Sequence, residues 1–183
     1  LKPQGSGTEA APIVIGKYGE GTSPRIDTQG AAPESLLLEN VEYYEVSDLE
    51  LTNTGSTRQL GRAGVRFRAD DIGVLHHLQI RRLFIHDVNG DLNKGDGDQL
   101  AGFGIQWINK GRKKPSRFDD LLIEDCHLAR TDRNGICGAS AYSNRTDWFA
   151  STRVVIRGNL LEDIGGDGIV PLGCEGALVE RNT

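Results

Sequence analysis

The sequence predicts an all-β fold, a right-handed single-stranded parallel β-helix in which short strands stack as successive coils of a solenoid. Three observations predict it. Apolar segments of one pattern recur along the chain; each is followed by a polar turn, a glycine and a second short apolar strand; and helical periodicity is missing between them. A unit of this size cannot bury its own inward face, whereas stacking on like neighbours buries a continuous core.

The repeated segments are Val46-Ser47-Asp48-Leu49-Glu50-Leu51, Ile80-Arg81-Arg82-Leu83-Phe84-Ile85, Ile123-Glu124-Asp125-Cys126-His127-Leu128 and Ile156-Arg157-Gly158-Asn159-Leu160-Leu161, with Val179-Glu180-Arg181-Asn182 opening a fifth. Their first residues stand 34, 43, 33 and 23 positions apart, which predicts a coil of about two dozen residues carrying insertions. The second strands are Gly64-Val65-Arg66-Phe67, Gly104-Ile105-Gln106-Trp107, Gly135-Ile136 and Gly168-Ile169-Val170. A sandwich of antiparallel hairpins would also give many short strands, but it has no need for a shared order of strand, turn, Gly and Ile.

Residues 1–34 read as a first coil or N-terminal cap: Pro12-Ile13-Val14-Ile15-Gly16 is a strand, Lys17 to Gly21 a turn, and Pro24-Arg25-Ile26-Asp27 starts a second strand. One β-helix domain is expected over 1–183. Because methionine is absent and the pattern stops in mid-coil, the chain is expected to be a fragment of a longer helix, with C-terminal coils missing. The long insertions fall at 91–102, 109–118 and 138–152, and insertions in repeat proteins tend to leave from one face and carry binding function. Asn159 and Asn182 occupy the same place in successive units, as a ladder of amides bonding turn backbones would require.

Composition excludes several classes. Twenty-six acidic residues against 21 basic ones give a net charge of −5, and Arg112-Lys113-Lys114 is the one basic run, so nucleic acid is not the expected partner. No apolar run reaches the roughly 18 residues of a membrane span. Cys126, Cys137 and Cys174 lack metal-ligand spacing and read as small buried hydrophobes.

Pro12 to Gly19, Ile85-His86-Asp87-Val88-Asn89-Gly90, Thr131-Asp132-Arg133-Asn134-Gly135-Ile136 and Ile164-Gly165-Gly166-Asp167-Gly168-Ile169 together resemble right-handed parallel β-helix proteins of the pectate-lyase-like superfamily, closest to bacterial β-helical glycoside hydrolases. The resemblance covers essentially the whole chain. It implies a secreted or periplasmic protein acting on a plant or microbial polysaccharide or oligosaccharide, with no cofactor. It does not fix the reaction, because this scaffold hosts lyases, hydrolases and adhesins alike.

Aligning the repeats on their first apolar residue puts Asp87, Arg130 and Asp163 at one position, Asn89 and Asp132 two places later, and Asp91, Asn134 and Asp167 two beyond that. Polar groups then line one edge of the solenoid, on coils about 4.8 Å apart. Glycoside hydrolysis needs two carboxyl groups about 5–5.5 Å apart for retention or about 6.5–9.5 Å for inversion, and one or two coils would supply either. Asp132 and Asp167 are the expected catalytic pair, each followed closely by Gly and Ile, with Asp87 third. His86, Arg133 and Asn134 would bind substrate beside them. Trp107 and Trp148, with Tyr142, offer flat faces for sugar stacking. A calcium-assisted lyase is the alternative reaction, with Lys94 or Arg133 as base and the acidic loop 91–98 near the ion, although that loop lacks EF-hand spacing. The other alternative is a non-catalytic glycan-binding or structural β-helix, and open solenoid ends would favour self-association.

Overall fold

The computed structural model describes residues 1–92, 102–142, 144 and 146–183. It is a parallel β-helix, and each full coil contributes three strands rather than the two expected. The first coil is β1 (Ile13–Gly16), β2 (Arg25–Asp27) and β3 (Glu34–Glu39); the second is β4 (Tyr44–Ser47), β5 (Glu50–Asn53) and β6 (Ala63–Asp70); the third is β7 (Val74–Arg81), β8 (Phe84–Val88) and β9 (Phe103–Lys110). The fourth coil is β10 (Arg117–Glu124), β11 (His127–Thr131) and β12 (Asn134–Ser140), the fifth β13 (Ser151–Arg157), β14 (Leu160–Ile164) and β15 (Ile169–Val170), and β16 (Cys174–Glu175) and β17 (Leu178–Glu180) begin a sixth. Like strands of successive coils pair in parallel, giving one sheet through β1, β4, β7, β10, β13 and β16, a second through β2, β5, β8, β11 and β14, and a third through β3, β6, β9, β12 and β15.

The register follows the sequence repeat. Ile15, Val46, Ile80, Ile123, Ile156 and Val179 stand one above another in the first sheet. Leu36, Val65, Ile105, Ile136 and Ile169 do the same in the third. Most of these side chains point inward and are fully buried, and with Phe67, Trp107 and Phe118 they form one continuous core.

Each six-residue apolar segment is a corner, not a single strand. Asp48, Arg82, Asp125, Gly158 and Arg181, two residues after the stacked aliphatic, all take positive φ between 51° and 67°, and this left-handed step turns the chain from the first sheet into the second. The amide ladder sits just inside this corner. Asn159 accepts from the Cys126 amide (2.9 Å), donates to the Ile123 carbonyl (3.1 Å) and donates to the Asn182 side chain (2.9 Å), so one buried residue ties three coils together.

The glycines that open the third-sheet strands act by packing rather than as turn residues. A side chain at Gly64, Gly104 or Gly135 would overlap Ile85, Leu128 or Leu161 of the next coil. Only glycine lets the second sheet's inward aliphatic tuck beneath the start of the third.

The insertions leave from two corners, not one. Residues 54–62 and 89–102 leave between the second and third sheets, whereas 111–116 and 141–150 leave between the third sheet and the first. The first of these corners is the polar edge expected from the sequence.

Candidate functional site

Asp132 and Asp167 lie on that edge, on neighbouring coils. The Gly165 amide donates to Thr131 and the Gly135 amide to Asp167, which sets Asp132 beside Gly165 and Asn134 beside Asp167. The two acids are therefore one rung and two residues apart. Asp132 is 17% exposed and is gripped by Arg58 through two contacts, Nε to Oδ2 at 2.7 Å and a second nitrogen to Oδ1 at 3.3 Å. Arg58 belongs to the 54–62 loop of the second coil, so it spans the third coil to reach an acid of the fourth. Asp167 is half exposed and meets Arg133 at 3.2 Å. Arg133 is thus placed beside the pair, but its charge is already engaged.

The loops behind this edge are held by buried polar groups. Arg62 donates to the carbonyls of Thr57 (2.9 Å) and Asn89 (2.8 Å) and to the Asn89 side chain, while Asn89 bonds both backbone groups of Gly55. Burial lowers the Arg62 pKa, and the Asp132 charge acts the other way. Asn134 is buried, and its side-chain oxygen accepts the Asp167 amide at 3.4 Å, so it orients the acid-bearing turn rather than facing solvent. Asp91 does not stand over Asn134 as the alignment had it. Phe103 takes that register position, because the 91–102 insertion intervenes.

Asp87 and His86 belong to a different surface, the second sheet. Two Arg130 nitrogens bind Asp87 at 2.6 and 2.9 Å, and the His86 ring lies 2.6 Å from it, holding the carboxyl down at about 2. An acid of that strength is a poor proton donor near neutrality. His86 is also clamped by Glu50 (3.1 Å) and stacked on Phe84 with centroids 4.1 Å apart. This cluster closes on itself as a charge network, which corrects the placement of Asp87 and His86 beside the acidic pair.

The aromatic candidates divide. Trp107 is wholly buried among core side chains and offers no face to a sugar, which corrects the expectation placed on it. Tyr142 is buried too, its hydroxyl accepting from the Ser116 amide (3.0 Å) and donating to the Gly111 carbonyl (3.3 Å). Trp148 is 48% exposed and lines a cavity of about 280 Å³ with Ser140, Leu172 and Gly173, where a ring face is available. Lys94 and the 93–98 stretch of the acidic loop lie outside the described residues. Among the described residues no group of three His, Cys, Asp or Glu side chains is gathered as a metal site.

Sequence reasoning missed a groove on the first sheet. On four successive coils the buried positions run 41, 44, 46; 75, 78, 80; 118, 121, 123; and 151, 154, 156, each a gap of three and then of two. A left-handed residue in each wide gap, Tyr43, His77, Asp120 or Arg153, sends two consecutive side chains outward. The resulting doublets are Glu42-Tyr43, His76-His77, Asp119-Asp120 and Thr152-Arg153. Tyr43, His76, His77, Asp120 and Arg153 of these doublets, with Glu9, border a cavity of about 420 Å³. The broken alternation was visible in the sequence, repeated at a fixed offset from Val46, Ile80, Ile123 and Ile156.

No family model matches the chain. It is 26% identical over 211 aligned residues to a lacto-N-biosidase of Bifidobacterium longum subsp. longum, covering 84% of this chain and 13% of that protein. The native crystal structure of GH136 lacto-N-biosidase from Eubacterium ramulus matches with a TM-score of 0.83 and 28% identity, over 100% of this chain and 36% of that one. Its selenomethionine derivative matches with a TM-score of 0.76 and 28% identity, over 93% and 34%. These relatives are glycoside hydrolases. The chain spans 13% of the curated relative's length and about a third of the solved chains.

The turn edge can offer two carboxyl groups of unlike setting to one ligand. Asp132 is fixed by a guanidinium and lies close to Gly102 and Gly165, where a side chain at Gly102 would touch its Cβ at 3.5 Å and one at Gly165 would overlap its carbonyl. Asp167 is open to solvent. Arg58 and Arg62, which hold this edge, were not found from sequence, since an arginine in a long insertion carries no pattern that assigns its partner.

Proposed function

We propose that this chain is a β-helical segment of a glycoside hydrolase that acts on oligosaccharides, and that Asp132 and Asp167 are the carboxyl groups flanking the scissile bond. The supporting observation is a likeness that runs through the whole chain at 28% identity to lacto-N-biosidase structures, with two acids on neighbouring rungs of one edge. The substrate class follows from the relatives' name: an oligosaccharide ending in a lacto-N-biosyl unit, rather than a plant polysaccharide. The wider kinship to pectate-lyase-like β-helix proteins and a secreted or periplasmic location belong to the same reading.

One rung of about 4.8 Å combined with two residues of chain allows a carboxyl separation of up to about 8 Å, within the range for inversion with a water between. Asp132, fixed by Arg58, is suited to orienting that water. Asp167, exposed and held by one arginine contact, is suited to meeting the leaving oxygen. Arg133 beside it would hold the acid in place until substrate enters, and Trp148 would stack on a more distant ring.

The test is single replacement, Asp132→Asn and Asp167→Asn, in the full-length enzyme, with release of disaccharide from a chromogenic lacto-N-bioside. Each should lower kcat on the order of 10²- to 10⁴-fold, as loss of a general acid or base does, at unchanged thermal unfolding. Undiminished turnover in both variants removes the assignment. An ultraviolet-absorbing unsaturated product would instead indicate the lyase, and sugar binding with no cleavage by the parent protein would indicate the non-catalytic β-helix.

A further inference from the structure

The groove on the first sheet lies on another face of the solenoid from the turn edge, and nothing in the hydrolase reading uses it. We propose that it is a recognition site for a neutral sugar of one or two rings. Its volume, about 420 Å³, falls within the range of about 300–1,000 Å³ usual for small-molecule sites.

The chemistry of the walls selects the ligand. Glu9 and Asp120 line it with Arg153, His76 and His77, and Glu42, Glu45 and Asp119 pair with those cations from beside the cavity, so acids outnumber cations around it and an anionic sugar such as a uronate would be repelled. Most of this charge is internally matched. His76 meets Glu42 at 2.8 Å, His77 meets both Asp120 and Glu45 at 2.9 Å, and Arg153 meets the two Asp119 oxygens at 2.7 and 3.0 Å. A cation would therefore gain little from acids already paired. What remains is a lining of fixed acceptors and donors spaced a rung apart, about 4.8 Å, which suits hydroxyls on a ring edge.

The Tyr43 hydroxyl and the Glu9 carboxylate make no hydrogen bond among the described residues, although both border the cavity. Burial and then the neighbouring Glu42 and Glu9 push the Tyr43 hydroxyl up, keeping it a donor. Its ring stacks on His76 and His77 with centroids at 6.1 Å in each case, forming a flat platform beside polar groups. An apolar ring face flanked by donors and acceptors matches a pyranose, whose C–H face is apolar and whose rim is hydroxylated.

This inference stands apart from the hydrolase reading, and the test keeps the two separable. The full chain, labelled for amide NMR, is titrated with lactose and cellobiose as neutral probes, digalacturonate as the anionic probe and a glucosamine dimer as the cationic one. Saturable shifts should appear at Tyr43, His77, Asp120 and Arg153 with the neutral probes, read separately from any shift at Asp132 or Arg133, which reports the turn edge. Tyr43→Ala should weaken binding about tenfold, the equivalent of 1.4 kcal/mol, while Tyr43→Phe keeps the platform and loses less. The proposal is overturned if neutral probes leave the groove amides unmoved at tens of millimolar, if either charged probe binds more tightly, or if Tyr43→Ala binds as the parent does.

Discussion

Replacing Asn159 by Ala tests whether the stacked register, and not local strand propensity, holds this fold together. The residue is 1% exposed and its side chain serves three coils, accepting from Cys126, donating to Ile123 and donating to Asn182. Alanine removes the partner of one backbone N–H and one carbonyl at a corner closed to solvent. At about 1–3 kcal/mol for each buried group left unsatisfied, the expected loss is about 2–6 kcal/mol. That is a large share of the roughly 5–15 kcal/mol typical of a whole domain. Asn182 provides the internal control: one coil later it makes the same set of bonds, accepting from the Asn159 backbone and side-chain amides (3.0 and 2.9 Å) and donating to the Ile156 carbonyl (3.0 Å), but it is only partly buried, so water can replace most of what alanine removes. Asn182→Ala should cost about 1 kcal/mol, as for an ordinary net hydrogen bond. Urea unfolding followed by far-ultraviolet circular dichroism gives both values from the shift in midpoint at a common slope. The reasoning fails if Asn159→Ala unfolds at the parent midpoint, or if the Asn182 variant loses as much as the Asn159 variant.

Gly138→Ala should destabilise by about 1–3 kcal/mol, as overpacking does, because a Cβ there would overlap both the Trp107 ring and the Leu172 carbonyl; the urea midpoint checks it. The Arg130 guanidinium, aided by His86, depresses the Asp87 carboxyl to about 2, so its stabilisation is present above the unfolded value of 3.8 and is lost as pH falls through about 2. With the side chain 44% exposed, solvent screening leaves about 1 kcal/mol, and Arg130→Ala should flatten the stability profile measured from pH 5 to pH 2. His77 moves the other way: burial lowers it, but its bonds to Glu45 and Asp120 outweigh burial and raise it above 6.5. Its contribution is complete below pH 6.5 and lost as pH rises through the raised value, so His77→Gln, with Tyr43, His76 and Gln79 left in place, should remove that loss from thermal unfolding scans.

The register was legible because it is written in side-chain size. Val46, Ile80, Ile123, Ile156 and Val179 can stack only if each lies over the last, and the Asn159–Asn182 pair fixed the same offset independently. The third strand of each coil was less legible, because the corner between the first and second sheets is made by Asp48, Arg82 and Asp125, charged residues in left-handed geometry that read as an ordinary polar position inside one strand. Of the proposed site, only the position of the acids was legible. Asp132 and Asp167 fall on one edge as the repeat requires, but Asp87 stands two places earlier in the repeat than Asp132, where the second-sheet strand still runs, so it falls on a sheet face and pairs with Arg130. Trp107 was misread for a similar reason: its place in β9 alternates inward, as Phe67 does directly below it.

Partner choice across coils explains why insertions matter more here than their sequence suggests. A side chain at a stacked position meets the same position of the coils above and below, about 4.8 Å away, so regular coils can build only rows of near neighbours. Arg58 escapes this rule because it stands on a loop that leaves the second coil and reaches the fourth, giving Asp132 a counter-charge that no residue of its own row provides. The groove escapes it by another route, since a left-handed residue on each rung turns one outward side chain into two and doubles the groups facing a ligand. Both devices leave the stacked core untouched. A β-helix can therefore change what it recognises by altering a loop or a bulge while Ile80, Ile123 and Ile156 keep their places, and binding and stability can be tested by separate substitutions in one chain.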